Sequence, residues 1–459
     1  MSGPDDQHRK ILEFQIDQLR GELEALRKWR DETVYSAAWR FAWPVRTIEN
    51  ALRRSLRRSD ARAAASQIES AAAPTRAFDP AAGTARLLID VTAIVGHDDR
   101  TGIQRVVKKV VGALYADNPP GVYPLAVRLA GERLVACESY GAALGQRAPR
   151  GPDAPIAPCA GDVLLMLDSS WKDFARFAPV FGAVRAAGGR IASVIYDLIP
   201  QLYPGACVGD TPRDHGRWLA ASLSESDAMV AISQTVADEL RAFVAQRGMA
   251  VRPGLRIGWF HCGSDFAPDD ARSNPSQAVA RAFADAPAYL IVSTLEPRKG
   301  HAVALAAFEK LWADSFAGKL VFIGRPGWNL DAFLTRLRAH PEMGRRLFWF
   351  DHAGDEDLSY AYDRCAAVLA PSYAEGFGLS VAEAAAFGKT AICSDIPVFR
   401  EIGRDGALYF AVNDADALAR TVRDFAQGRL KGDPSRVIRP RWAQAARQLA
   451  AEAMRAAPG

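Results

Sequence analysis

The strongest constraint on the fold of this chain is an alternation, run through twice, of apolar stretches of strand length with helix-length patterns. The first series opens at "RLLIDVTAI" (86–94), crosses the polar, glycine-bearing "VGHDDRTGIQ" and enters the helical "RVVKKVVGALY". Strand-like runs follow at "DVLLML" (162–167), "RIASVIYDLIP" (190–200) and "DAMVAIS" (227–233). The second series reads "AYLIVSTL", "KLVFIG", "LFWFD", "AAVLAPS" and "TAICSD", separated by helical patterns such as "HAVALAAFEKLWADSF" and "LSVAEAAAFG". Strands joined through helices form parallel, doubly wound sheets. At 459 residues the chain is also longer than one core usually serves. The expected architecture is therefore α/β, with two Rossmann-like domains over 87–272 and 286–428 facing each other across a cleft. The polar, proline-bounded stretch 267–287 would connect them, and a helix over 440–457 would pack back across the pair.

The residues before position 87 read differently. Over 1–58 a helical extension is expected, beginning with Leu12, Ile16, Leu19, Leu23 and Leu26 at alternating spacings of four and three. That stripe over 12–26 spans about two heptads, fewer than a coiled coil needs to be recognised, so it fits either a coiled-coil partner or docking on its own protein. Tyr35, Trp39 and Trp43 come next, followed by Arg40, Arg46, Arg53, Arg54, Arg57, Arg58 and Arg62 against only Glu49 and Asp60. Aromatic residues beside clustered arginines suit an anionic headgroup surface; a solvated helix face is the plainer alternative. Residues 59–86, rich in alanine with scattered proline, read as a linker.

The net charge is only +4 and concentrates in that arm, which argues against nucleic acid as a partner of the globular part. No run approaches the roughly 20 apolar residues of a spanning helix. The first residues, "MSGPDDQHRK", open no secretory signal, so a soluble cytoplasmic protein is expected, peripheral on the inner membrane face through its basic arm. The six cysteines form no CxxC or Cys/His cluster, so neither disulfides nor a zinc site is expected. No DxD closes a strand, and "DED" at 355–357 opens a helix that it is expected to cap; no metal site is assigned.

Chemistry concentrates in two loops of the second series. "APSYAEGFGLSVAEAAAFG" (370–388) leaves a strand, places Gly376 and Gly378 where backbone can approach a ligand, and starts a helix near Leu379 or Ser380. Free amides at a helix start form an anion site, here for a phosphate or diphosphate. Glu375 precedes the turn, and Glu383 lies in the first helical turn, where a carboxylate reaches a sugar hydroxyl. Ser380 and Glu383 also match a capping box, a purely structural use of that glutamate. The second loop, "STLEPRKGH" (293–301), brings Arg298 and Lys299 to the same sheet edge, where they would neutralise a diphosphate leaving group. A solvated turn is its plainer reading.

Together "LEPRKGH", "GRPGW" (324–328), "GDEDLSYAYDRC" (354–365) and "APSYAEGFGLSVAEAAAFG" resemble the second domain of retaining glycosyltransferases of family 4, which have the GT-B fold, over about 286–425. "DVTAIVGHDDRTGIQRVV" and "YDLIP" resemble that family's bacterial polysaccharide branch. The resemblance implies an acceptor-binding first domain and a second domain that binds a nucleotide-sugar donor. It places Arg298 and Lys299 on the donor diphosphate, Glu383 on the ribose, Glu375 near the donor sugar, and the amides of Gly376, Phe377, Gly378 and Leu379 around the phosphates. It sets Thr101 and Gly102 opposite the donor phosphates and Asp197 beside the sugar. Two positions depart from the family: Ser380 stands where proline is usual, and Tyr196 where a histidine usually precedes the aspartate.

The implied reaction is transfer of a sugar with retention, mannose from GDP-mannose first and a dTDP- or UDP-sugar such as rhamnose second. The acceptor would be a hydroxyl of a growing surface glycan, lipid-linked in keeping with the basic arm. Metal independence and no cofactor beyond the nucleotide sugar are expected. A sugar-nucleotide epimerase, a phosphorylase and a non-catalytic scaffold subunit remain as alternatives of other classes.

Overall fold

The computed structural model describes residues 84–98, 101–168, 171, 173–265 and 275–455. The stripe at 12–26, Tyr35, Trp39, Trp43 and the arginines of 40–62 lie outside the described residues.

The first sheet has eight strands: β1 (Ala85–Asp90), β2 (Val122–Ala130), β3 (Arg133–Ala136), β4 (Pro155–Ile156), β5 (Val163–Met166), β6 (Arg190–Ile195), β7 (Ala228–Ala231) and β8 (Arg256–Trp259), in the order β4-β3-β2-β1-β5-β6-β7-β8. The pairs from β2 through β8 are parallel, and β3 and β4 add an antiparallel edge. The second sheet contains β9 (Ala288–Val292), β10 (Lys319–Ile323), β11 (Leu347–Phe350), β12 (Ala367–Ala370), β13 (Thr390–Ser394) and β14 (Leu408–Phe410). Its order, β11-β10-β9-β12-β13-β14, is wholly parallel and reverses direction between β9 and β12. On either side of such a reversal the chain leaves the sheet toward helices on opposite faces, and a crevice opens at the carboxyl ends of the two strands. The two loops singled out in the sequence leave β9 and β12.

Strand burial explains the apolar runs: β5, β7, β10, β12 and β13 are buried along their whole length. β2, β3, β4, β8 and β14 lie outside the runs named from the sequence. Four of them have only two to four residues, β8 being half-buried as well, while β2 carries Pro124, a residue that argues against an interior strand. β1 begins at Ala85, inside the stretch read as linker, because its register with β2 pairs Ala85 with Val122. The connection at 267–287 is not wholly irregular, since Gln277–Ala282 is helical and buries Val279 and Ala282.

The helices around the cleft are α1 (Gly102–Ala116), α2 (Thr211–Glu225), α3 (Gln234–Arg247), α4 (His301–Ala313), α5 (Asp355–Arg364), α6 (Leu379–Ala386) and α7 (Pro397–Gly403). A further helix, α8 (Trp442–Met454), lies against α1 and the strands of the first sheet. Its start is fixed by the Trp442 amide donating to Asp265 Oδ1 at 2.6 Å, and its ring fills the space a side chain at Gly263 would need. "DED" does not cap α5: Gly354 is the capping position and no side chain bonds there, so Asp355, Glu356 and Asp357 act as first-turn charges facing the positive end of the helix. One apolar cluster runs from Ile232 and Phe260 of the first domain to Tyr373, Phe377 and Phe399 of the second, so the halves share a core. Among the described residues no helix is long and apolar enough to cross a membrane.

Candidate active site between the two sheets

The loop after β9 and the loop after β12 are locked together by backbone. Gly300 has φ +68°, and a side chain there would meet the Pro371 carbonyl at 2.2 Å; the Tyr373 amide donates to the Arg298 carbonyl at 3.0 Å. Only glycine allows this approach at that φ. The result brings Arg298, Lys299 and Glu375 into one group. Arg298 donates to Glu375 Oε2 at 2.9 Å, Lys299 Nζ to Oε1 at 2.6 Å, and Ser372 Oγ to Oε1 at 2.8 Å. Arg298 also reaches the Ala374 carbonyl and Glu296 Oε1.

The electrostatics follow from that packing. Burial alone would push the Glu375 carboxyl up, but Lys299 and Arg298 outweigh it and hold the group at about 2. Burial would likewise weaken the Arg298 cation; Glu296, Glu375 and Asp197 reverse the effect and keep it firmly protonated. Asp197, at the end of the segment after β6, is raised by burial against the pull of Arg298, and its Oδ1 accepts the Ile199 amide at 3.0 Å. The two basic residues are therefore not a solvated turn. Nor are they loose: each is already held by a carboxylate.

Glycines in the second loop serve packing more than sequence reasoning expected. A side chain at Gly376 would meet the Tyr196 carbonyl of the other domain at 2.1 Å, and one at Gly378, which has φ +92°, would meet the Phe399 ring at 2.9 Å. Ser233 Oγ at the start of α3 donates to the Gly376 carbonyl at 2.7 Å. The turn is thus gripped by the first domain, and Phe377 is buried with its ring 5.8 Å from His261. α6 starts at Leu379, with Gly378 at the cap and no side chain bonded there. The capping box between Ser380 and Glu383 does not form. Glu383 instead turns inward, accepts the Tyr362 hydroxyl on Oε2 at 2.6 Å, and sets Oε1 2.6 Å from an Arg105 guanidinium nitrogen.

Across the cleft, Thr101 caps α1 through its side chain, and a side chain at Gly102 would meet open space. Tyr196, in the place of the family histidine, is buried with its hydroxyl on the Leu167 carbonyl at 2.7 Å, a strand-end packing residue. His215 of α2 is placed next to Asp197 instead, its ring among Trp171 and Trp218. Trp328 of "GRPGW" donates to the Ala206 carbonyl at 2.8 Å, which bridges the domains at another point. Sequence reasoning missed Arg105, Glu296, Tyr362 and Ser233 as members of the site. All four stood inside quoted stretches, Arg105 in "DVTAIVGHDDRTGIQRVV", Glu296 in "LEPRKGH", Tyr362 in "GDEDLSYAYDRC" and Ser233 at the end of "DAMVAIS", so a signal was there for the first three, while Ser233 was marked only as the end of a strand-like run.

Residues 275–448 match the family described as "Glycosyl transferases group 1". The chain is 34% identical over 350 residues to the serotype-specific mannosyltransferase WbdA of Escherichia coli, a match covering 74% of this chain and 41% of that protein. It is 29% identical over 217 residues to the O-antigen chain mannosyltransferase B of Escherichia coli, covering 45% and 55% respectively. The chain thus spans about two fifths of the length of WbdA. The structure of Anabaena Alr3699/HepE in complex with UDP-glucose superimposes with a TM-score of 0.51 at 14% identity, over 80% of this chain and 95% of that one. With two mainly parallel sheets, a strand-order reversal in the second and both motif loops at it, the chain has the GT-B fold, and its second domain matches the family described as "Glycosyl transferases group 1".

Proposed function

We propose that this chain is a retaining glycosyltransferase that moves a hexose from a nucleotide diphosphate to a hydroxyl of a growing bacterial surface glycan. Mannose from GDP-mannose is the first choice of donor, a dTDP- or UDP-sugar the second. The observation that carries this reading is the convergence of Arg298, Lys299 and Glu375 beside the uncapped start of α6 at the strand-order reversal. The mannosyltransferase names of the relatives support the sugar, and the solved UDP-glucose complex supports a nucleotide-sugar donor for the fold.

In this reading the diphosphate lies over the amides from Gly376 to Leu379 and draws Arg298 and Lys299 from Glu375. Glu375, released, turns to hydroxyls of the donor sugar, and Glu383 takes the ribose. Asp197, whose burial favours its neutral form, orients a sugar or acceptor hydroxyl. The acceptor oxygen bonds to the anomeric carbon as the bond to the phosphate oxygen breaks, and the acceptor proton passes to that oxygen on the same face. The protein then acts through orientation and charge stabilisation. Thr101 and Gly102 approach the phosphates from the first domain. A lipid-linked acceptor at the inner membrane face, met by the basic arm, completes the proposal.

The test is a thermal-shift titration with GDP, UDP and dTDP, followed by a transfer assay with the Lys299→Ala and Glu375→Ala proteins. One diphosphate is expected to raise the unfolding midpoint, and each substitution to lower the transfer rate by roughly ten- to a hundredfold, the effect of one lost charged hydrogen bond. Wild-type transfer rates in both variants would remove the assignment.

A further inference from the structure

Glu383 is already paired within the protein itself. Its Oε2 is held by the hydroxyl of Tyr362, a residue with no exposed surface, and its Oε1 by Arg105, whose side chain is one-third exposed. These two partners differ in what they can do: the tyrosine is fixed in the core of the second domain, whereas the arginine reaches over from the first turn of α1 in the other domain. Among the described residues, two further cations near the presumed donor position are in the same condition. Arg298 is shared by Glu375 and Glu296, and Lys299 is held by Glu375. Arg105, Arg298 and Lys299 thus face Glu296, Glu375 and Glu383, three charges against three. A nucleoside diphosphate entering this balanced set adds two or more negative charges, and it is bound only if cations exchange a carboxylate for phosphate oxygens.

We propose, on the basis of the function above, that Arg105 is a donor-binding residue that changes partner: it holds Glu383 until the donor binds and passes to the diphosphate when ribose hydroxyls take over its place on Glu383. A guanidinium suits both ends of the exchange, because its planar fork pairs equally well with a carboxylate and with phosphate oxygens. The burial of Tyr362 suits it as well, since that hydroxyl keeps Glu383 oriented while Arg105 leaves. Because Arg105 and Glu383 belong to different domains, the exchange also tells the first domain that the second is loaded.

The experiment is isothermal titration of the full chain and its Arg105→Gln and Arg105→Lys forms with GDP and guanosine, and with the UDP/uridine and dTDP/thymidine pairs. In Arg105→Gln the diphosphate is expected to bind about tenfold more weakly while the nucleoside binds as well as before or better, because Glu383 has been freed. The preference for diphosphate over nucleoside therefore shrinks by about tenfold or more, with Arg105→Lys in between. A residue that only joins the domains would move both ligands in the same direction and leave that preference intact. An unchanged preference alongside wild-type diphosphate binding overturns the role of Arg105 alone. Failure of the wild type to bind any of the three diphosphates overturns the donor reading, and this inference with it.

Discussion

Two histidines near the cleft are kept neutral by the packing around them. His215, between Trp171 and Trp218, is lowered by burial to about 4; His301, at the start of α4 with its ring edge-on to Phe322, is lowered by burial and by Lys299 to about 3. In the unfolded chain both titrate near 6.5. The unfolded state therefore binds more protons in the interval, and stability falls as the pH drops from 6.5 toward those values. Each histidine is expected to remove about 2 kcal/mol between pH 7 and pH 5. Urea unfolding at the two pH values measures it, and His301→Asn should flatten the slope by about one histidine's share. Glu375 acts lower down: its contribution is present above its unfolded value near 4.5 and is lost as the pH falls toward 2. The sequence made Arg298, Lys299 and Glu375 legible because short loops fix where they leave the sheet. It made the neutrality of His301 illegible, since nothing in "RKGH" tells that Phe322, from a different strand, closes over the ring.

At the scale of elements, the turn before α6 is set by close approach. Gly376→Ala would drive a methyl group into the Tyr196 carbonyl, which is backbone and cannot yield cheaply. A loss of about 1–3 kcal/mol is expected, the usual cost of overpacking, together with a marked loss of transfer. Gly102→Ala meets open space at the first position of α1 and should leave stability within about 0.5 kcal/mol, so any effect on it falls on donor binding. Denaturant unfolding of the two variants compares them directly. An unaltered midpoint for Gly376→Ala would show that this turn is not pressed against the Tyr196 segment of the first domain. Of the strands that periodicity revealed, β5, β7, β10, β12 and β13 are buried along their whole length, whereas β4 and β14, with two and three residues, are too short to carry a pattern, and they were placed by their neighbours.

For the whole molecule, Glu401 of α7 ties the domains. Its carboxylate accepts the Gln234 and Thr235 amides at the start of α3 at 2.9 and 2.7 Å, the Thr235 hydroxyl at 2.6 Å, and pairs with His261 Nε2 at 2.7 Å. One side chain of the second domain thus caps a helix of the first and holds the segment that runs between them. Glu401→Ala is expected to cost about 2 kcal/mol, because two amides at the start of a helix lose their acceptor at once. Scanning calorimetry should show the single transition broadening or splitting as the halves unfold less cooperatively. A sharp transition at the wild-type midpoint would place the coupling in the shared apolar cluster alone.

By itself the sequence determined two α/β domains and the two loops that carry the site. Strand and helix periods and glycine turns are properties of neighbours along the chain, and a parallel sheet delivers its loops to one edge. Tertiary structure alone decided which carboxylate holds which cation: Glu375 between Arg298 and Lys299, Glu383 between Tyr362 and Arg105. Such pairings join residues far apart in the chain, and they are fixed by how two finished domains press against each other, a fact that no local pattern encodes.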